Sequence, residues 1–397
     1  MQFEKVEKYK LKNGAQLAIL NSPEFKSAKI TVKFNAGYLH LPNEKNQVPH
    51  LLEHIIYDHN EDVKHDFAKF GVWQNAGTWD GETDYWLECL PEYFESTIQH
   101  LLYDICNPIL TSEKLTVEKK TVENELSTER LEPLQLMYGK IKDDLFENII
   151  SEHAKKATLK NIEIEDLQKF YQEFYTTDNA RIFIYGHFSD QQKQKIMDLL
   201  ENFALPRGEE KSIPAIKSRQ QYISRKEEDG DLTRFMRVSH FPHFSNHVAA
   251  NYSILFRYLF HSDSGNAYQE LRKKGLIYGF YLGADIQNDL SEINEISFSA
   301  IAEKYDEVMQ IVKKWVKKAQ NGEISDEELD FLKTVAKNDL RMDYKDLDDR
   351  AGALENRFIF NEQETFPERV FAETDNVTRE SLSELACEVF ADFEKEN

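Results

Sequence analysis

Polar and apolar residues alternate through Tyr9-Lys10-Leu11-Lys12, Asn13-Gly14 supplies a turn, and Gln16-Leu17-Ala18-Ile19-Leu20 returns. That pattern predicts a β-hairpin at the start of the chain. Lys29-Ile30-Thr31-Val32-Lys33-Phe34 alternates again and stops near Gly37. A helix is expected from about Pro49, because proline suits the first helical turn, with the core His50-Leu51-Leu52-Glu53-His54-Ile55-Ile56. Thr83 to Leu90 reads as a strand, and Glu92 to about Ile105 turns to a helical period. A long helical stretch from Ser112 to Phe146 is broken near Pro133, and a further helix covers Glu163 to Tyr175. Arg181 to Gly186 is a buried-type strand, and Gln191 to Phe203 is helical. Proline, glycine and mixed charge between Pro206 and Pro214 mark a linker.

Beyond the linker the element order repeats. A strand at Phe235 to His240 leads to a helix at His247 to Phe260. Strands at Tyr278 to Ala284 and Glu295 to Ala302 precede long helices at Tyr305 to Ala319 and Asp326 to about Asp348. The pattern predicts two α+β halves of similar size, with domains at 1–205 and 218–397 and a linker at 206–217. The repeat is one of order and not of residues.

Composition narrows the function classes. At 41% hydrophobic residues over 397 positions the chain can fill sizeable cores, which excludes global disorder. Its net charge of −22 repels phosphate backbones, so nucleic acid is excluded as a partner. Cys89, Cys106 and Cys387 are too few and too dispersed for a disulfide framework or a cysteine zinc cluster. The first residues lack a basic segment leading into an apolar one, and no apolar run approaches the roughly 20 residues of a membrane helix. A cytoplasmic protein with no membrane partner is expected.

The chemistry begins at His50-x-x-Glu53-His54. On a helix, positions i, i+3 and i+4 share one face. Two imidazoles one turn apart can bind one zinc ion, and the carboxylate between them sits where a general base belongs. A catalytic zinc needs a third protein ligand and an open fourth position. Glu118, Glu123 and Glu125 are candidates, and Glu118 and Glu125, seven apart, share a helical face. That pair could provide one ligand carboxylate and one that supports a ligand, although a charged helix in so acidic a chain needs no such role. His240, His243 and His247 are interleaved with Phe241, Pro242 and Phe244, which reads as a loop before a helix with a structural role.

The order H-x-x-E-H, Asn75-Ala76-x-Thr78, then Glu118-x6-Glu125 resembles the insulinase-like, or pitrilysin, zinc peptidases with an inverted zinc motif. Phe34-Asn35-Ala36-Gly37, Asn107-Pro108 and Tyr175 to Gly186 resemble further landmarks of that family. The resemblance implies a half-chamber of two similar domains, each a mostly antiparallel sheet covered by helices, with the first domain catalytic. It implies zinc, one ion per chain, on His50, His54 and Glu125. Glu53 would be the base, Glu118 the carboxylate behind a ligand, and Asn75 and Ala76 the strand that pairs with substrate. Leu271-Arg272-Lys273-Lys274-Gly275-Leu276-Ile277-Tyr278 resembles the segment from which an arginine and a tyrosine reach the substrate, which assigns Arg272 and Tyr278 that task. Their spacing of six is one shorter than the commonest pattern. The implied activity is a zinc-dependent endopeptidase that hydrolyses short or unfolded peptides inside a closed chamber. The chamber takes four such domains, so a homodimer, or a heterodimer with a related subunit, is expected. Processing of a single peptide precursor is a narrower version. The alternative is a non-catalytic subunit that binds peptides or partners.

Overall fold

The computed structural model describes residues 3–58, 67–128, 132–241, 245–277, 280–287 and 291–395. In β3 (Ala28–Phe34) the pleat sends Ala28, Ile30, Val32 and Phe34 to one face, where all four are fully buried. β3 pairs antiparallel with β5 (Thr83–Cys89) and with β6 (Ala180–Gly186). β6 runs parallel to β2 (Gln16–Asn21), which pairs antiparallel with β1 (Glu7–Lys10). β4 (Trp73–Thr78) adds to β5, so the sheet order is β1-β2-β6-β3-β5-β4 with β4 at the edge.

Helices α1 (Val48–Tyr57), α2 (Phe94–Cys106) and α3 (Ser112–Thr128) cover the apolar face of this sheet. Leu51, Leu52 and Ile55 of α1, Ile98 of α2 and Val122 of α3 share one core with Ile30, Val32, Phe34 and Leu87. After them come α4 (Pro133–Leu145), α5 (Glu152–Thr158), α6 (Ile164–Phe174) and α7 (Asp190–Glu201). Pro133 starts α4 and so accounts for the expected break in the long helical stretch.

The second sheet is antiparallel throughout, in the order β7-β8-β10-β9: β7 (Tyr222–Asp229), β8 (Leu232–Phe241), β9 (Phe280–Gln287) and β10 (Ser291–Ile301). Phe235, Ile296 and Phe298 pack under α8 (Asn246–Phe260), α9 (Asn266–Lys273), α10 (Tyr305–Gln320) and α11 (Asp326–Asp343). Three helices close the chain: α12 (Leu347–Ile359), α13 (Phe366–Glu373) and α14 (Arg379–Val389). The chain is thus an α+β protein of two domains, each built on a mostly antiparallel sheet covered by helices. Among the described residues no helix is long and apolar enough to cross a membrane.

Two details differ from the periodicity. The opening strand stops at Lys10, and Leu11 to Ala15 form the connection with Gly14 at φ +99°, a conformation that favours glycine. The long helix expected to run to Asp348 is two helices, α11 ending at Asp343 and α12 starting at Leu347. The break has a packing reason. Ala351, Leu354 and Phe358 of α12 leave the second domain and pack on Ala18, Leu20, Phe183 and Tyr185, the rear face of the first sheet. In return Met137, Ile141 and Leu145 of α4 pack on Met236, Val238 and Ile293, the rear face of the second. Residues 206–217 run between the halves without helix or strand, but the side-chain packing crosses in both directions. A cavity of about 810 Å³ opens between α1, β4 and the exchanged helix α4, with Ile293 and Phe360 also in its lining.

Candidate metal centre

Helix α1 is apolar almost all round, and Leu51, Leu52, Ile55 and Ile56 anchor it in the core. That leaves His50, Glu53 and His54 on the face that lines the cavity. Gln47, the N-cap residue, is itself buried, and its Oε1 lies 3.1 Å from His50 Nδ1. His50 Nδ1–H therefore donates to Gln47, and Nε2 keeps its lone pair. On α3 the buried stripe is Leu115, Glu118, Val122 and Leu126, so Glu118 sits within the apolar face. Its Oε2 lies 3.4 Å from His54 Nδ1, which leaves His54 Nε2 as the free acceptor. Lys114, one turn earlier, is 3.5 Å from Glu118 and also bridges to Asp58.

Three donor atoms converge on one point. His50 Nε2 and His54 Nε2 are 3.2 Å apart. Glu125 Oε2 is 3.2 Å from His54 Nε2, and Glu125 Oε1 is 3.5 Å from His50 Nε2. Ligand atoms bound tetrahedrally to zinc at about 2.0–2.1 Å stand ~3.3 Å from one another, so the three separations fit that ion. When the two rings carry a proton on Nε2 instead, hydrogen bonds from His50 and then His54 hold the Glu125 carboxyl well below the usual carboxylate range. Burial opposes the cation of His54, but its bond to Glu125 and the nearby carboxylates outweigh burial and raise its pKa. Both directions belong to a site that favours positive charge. Glu123 is exposed and pairs with Lys156 at 3.5 Å, away from the histidines. Among the described residues, His50, His54 and Glu125 are the group whose spacing could hold a metal ion.

Glu53 is 7% exposed. Thr78 Oγ1 donates to its Oε2 at 3.0 Å. Burial raises the Glu53 pKa, against the opposing pull of both histidines.

The family profile described as Insulinase (Peptidase family M16) matches residues 16–164, and that described as Peptidase M16 inactive domain matches residues 161–335. The chain belongs to the insulinase, or M16, family. The insulinase match holds His50, Glu53, His54, Glu118 and Glu125, and the inactive-domain match has no second H-x-x-E-H. The insulin-degrading enzyme homolog of Dictyostelium discoideum is 25% identical over 316 residues, which cover 72% of this chain and 31% of that protein. The Bacillus subtilis protein named zinc protease YmxG is 23% identical over 202 residues, 47% of each chain. The matches therefore span less than half the length of these two relatives. The fold is shared with the crystal structure of a protease from Helicobacter pylori, at a TM-score of 0.80 and 19% identity over 98% of both chains.

The M16 resemblance also assigned residues outside the zinc motif. Asn75 and Ala76 lie on β4 and line the cavity. They pair with Trp86 and Tyr85 of β5, and among the described residues no strand pairs with the other edge. Arg272, at the end of α9, is exposed and is not among the cavity residues. Tyr278 lies outside the described residues. His240 is buried on β8 with Nδ1 2.9 Å from Ser218 Oγ, a structural placement, and His247 lies 3.6 Å from Glu373. His243 lies outside the described residues.

Other residues in and around the cavity lie outside the zinc motif. Gly37 lets the chain pass close over the loop after β4: Tyr38 N donates to Trp79 O at 3.0 Å and Leu39 N to Asp80 O at 2.7 Å. A Cβ at Gly37 would collide with the backbone of Trp79, Asp80 and Glu82. This approach puts the half-buried Tyr38 ring edge-on to His50, 6.3 Å between centroids. Gln47 could have been found from its three-residue offset to His50. Tyr138, Lys142, Glu152 and Lys155, from α4 and α5, complete the wall and carry no such clue.

Proposed function

We propose that the chain is a zinc-dependent endopeptidase for short or unfolded peptides, with His50, His54 and Glu125 holding the ion. Zinc bound there supplies Lewis acidity toward a peptide carbonyl. Gln47 and Glu118 hold the two imidazoles in the tautomer that presents Nε2. Glu53 accepts a proton from the attacking water and passes it to the leaving amine. Thr78 fixes the Glu53 carboxylate, and burial raises its basicity. The open edge of β4 at Asn75 and Ala76 accepts an extended peptide as an added strand. The single observation that carries the reading is the meeting of three metal donors, a buried carboxylate and a free strand edge in one cavity.

Arg272 is not among the residues that line this cavity, and a second chain is the proposed route by which the segment from Arg272 to Tyr278 contacts substrate. A homodimer, or a heterodimer with a related subunit, in the cytoplasm is the assembly we propose. The test is elemental analysis together with cleavage of an unstructured peptide by the wild-type chain and by Glu53→Gln. Zinc in both and cleavage by the first alone is expected. Equal turnover in the two, or a wild-type protein with no affinity for zinc, would overturn the reading. The inactive-domain match over residues 161–335 favours a second reading, a subunit that binds peptide without cutting it. Peptide binding without cleavage by the metal-loaded wild type would select it.

A further inference from the structure

The cavity reaches both faces of the open edge strand. The pleat of β4 points Ala76 and Thr78 to the metal side, where Thr78 bonds to Glu53 and Ala76 packs on the core beneath α1. Asn75 and Gly77 point the other way, Trp79 continues their row past the end of the strand, and all three line the cavity. Phe360 directly follows α12, the helix that lies on the rear face of this sheet, and it lines the same cavity. Two aromatic rings are therefore presented on the rear side of β4, and each is held in place. Trp79 Nε1 donates to Asp84 Oδ1 at 2.7 Å, and the ring folds back over Gly77, where a Cβ would stand 3.2–3.4 Å from three of its atoms. The one polar group of the indole is thereby satisfied, yet Trp79 is 59% exposed. Phe360 is half-buried, and the carbonyls just before it, of Phe358 and Ile359, accept from Arg181 Nη1. Glu82, across the turn from Trp79, is matched by Lys33 Nζ at 2.7 Å, with both residues buried. Asp80, at the tip of that turn, also lines the cavity.

We propose that Trp79 and Phe360 form a subsite for one large apolar side chain of the bound peptide, on the side of β4 away from the metal. The proposal rests on the reading of β4 as the edge to which an extended peptide adds. An added strand continues the pleat of its neighbour, so its side chains alternate between the metal side and the rear side. The residue opposite Gly77 points to the rear, beside the Trp79 ring. Gly77 adjoins Thr78, whose hydroxyl holds Glu53, so this residue lies within about two positions of the bond that faces the zinc motif. Gly77 has two tasks here: it leaves room for the indole, and it leaves the rear of the edge strand free of a side chain of its own. A phenyl or isobutyl group beside the indole removes apolar surface of both from water. Asp80 makes the same place unfavourable for an acidic side chain. Because Phe360 comes from α12, the second domain takes part in choosing the substrate of the first.

The probe is a set of fluorescently labelled, unstructured octapeptides in which a single Phe, Leu, Lys or Glu replaces Ala at each position in turn. Binding is measured by anisotropy on metal-loaded Glu53→Gln, and cleavage on the wild-type chain. At one position Phe or Leu should bind about tenfold tighter than Ala, with Glu weakest. Trp79→Ala and Phe360→Ala, each placed in the Glu53→Gln background, should cut that gain to under about threefold. Gly77→Val, which crowds the ring but keeps Trp79, should do the same. Trp79→Phe, which keeps an aromatic ring, should retain most of the gain, so a loss caused by misfolding is recognised. A gain unchanged in both Trp79→Ala and Phe360→Ala would overturn the proposal, as would a scan in which Lys or Glu surpasses Phe and Leu at every position. Cleavage by the wild type with no apolar preference in binding would overturn the subsite and leave the peptidase reading standing. An apolar preference that depends on Trp79, with no cleavage of any peptide, would do the reverse. No binding of any peptide would remove both.

Discussion

Helices α1 and α8 occupy the same place in the two halves: each follows the strand at the centre of its domain's core and packs on that sheet. Their polar groups meet different fates. On α8 the buried Asn251 donates to His247 O at 2.7 Å and accepts from Ser381 Oγ at 2.6 Å, and Tyr252 stacks on Phe256 with centroids 4.1 Å apart. The Asn251 amide finds a partner at both ends, and the helix is a packing element. On α1, His50 and His54 present two ring nitrogens 3.2 Å apart with a carboxylate beside them. Two lone pairs at that distance repel unless a proton or a cation stands between them. One scaffold therefore serves two ends, and the difference lies in whether buried polar groups satisfy one another or converge on an outside ion.

The comparison can be broken most sharply at α1. His54→Ala removes one of three ligands, and elemental analysis should show most of the zinc gone and turnover at background. Full metal occupancy in that variant would refute the assignment of ligands. Glu53→Gln should keep zinc and lower turnover by about 10²–10⁴-fold, the usual contribution of a general base. Glu118 acts through His54, so Glu118→Gln should weaken metal affinity or activity by about 10–100-fold, less than Glu125→Gln. Competition with a chelator ranks the two, and the reverse order would place Glu118 on the metal. At α8 the effect on chemistry should vanish: Phe256→Ala should cost about 3–5 kcal/mol of stability by denaturant unfolding, with zinc affinity per folded molecule unchanged. A loss of metal in that variant would mean that the two halves are not separable in this way.

Much of the metal centre is legible in the sequence. H-x-x-E-H is local, and a helix of 3.6 residues per turn carries its members to one face. The seven-residue offset from Glu118 to Glu125 works for the same reason. Their division of labour is not legible, because both offsets to the histidines run through tertiary space. The structure separates them by depth: Glu118 lies within the buried stripe of α3 and reaches the outer nitrogen of His54, while Glu125 at its margin reaches the inner nitrogens of both histidines. Glu123 fails as a candidate for a reason equally invisible in spacing, an exposed position beside Lys156. Thr78 entered through the resemblance alone, and its bond to Glu53 needs the pairing of β4 with β5.

By itself the sequence determined the two-domain α+β order, the elements with strong periodicity and the helix that bears the zinc motif, since each depends on residues within a few turns or strand pairs. Only the tertiary structure decided that α4 and α12 change places between the sheets. It also decided that Lys142 and Lys155 line the same cavity as the metal site, and that Arg272 is not among its lining residues. An apolar stripe states that a helix face will be buried but not against which sheet. That choice is made by the shape and volume of the surfaces that meet, to which distant parts of the chain contribute together.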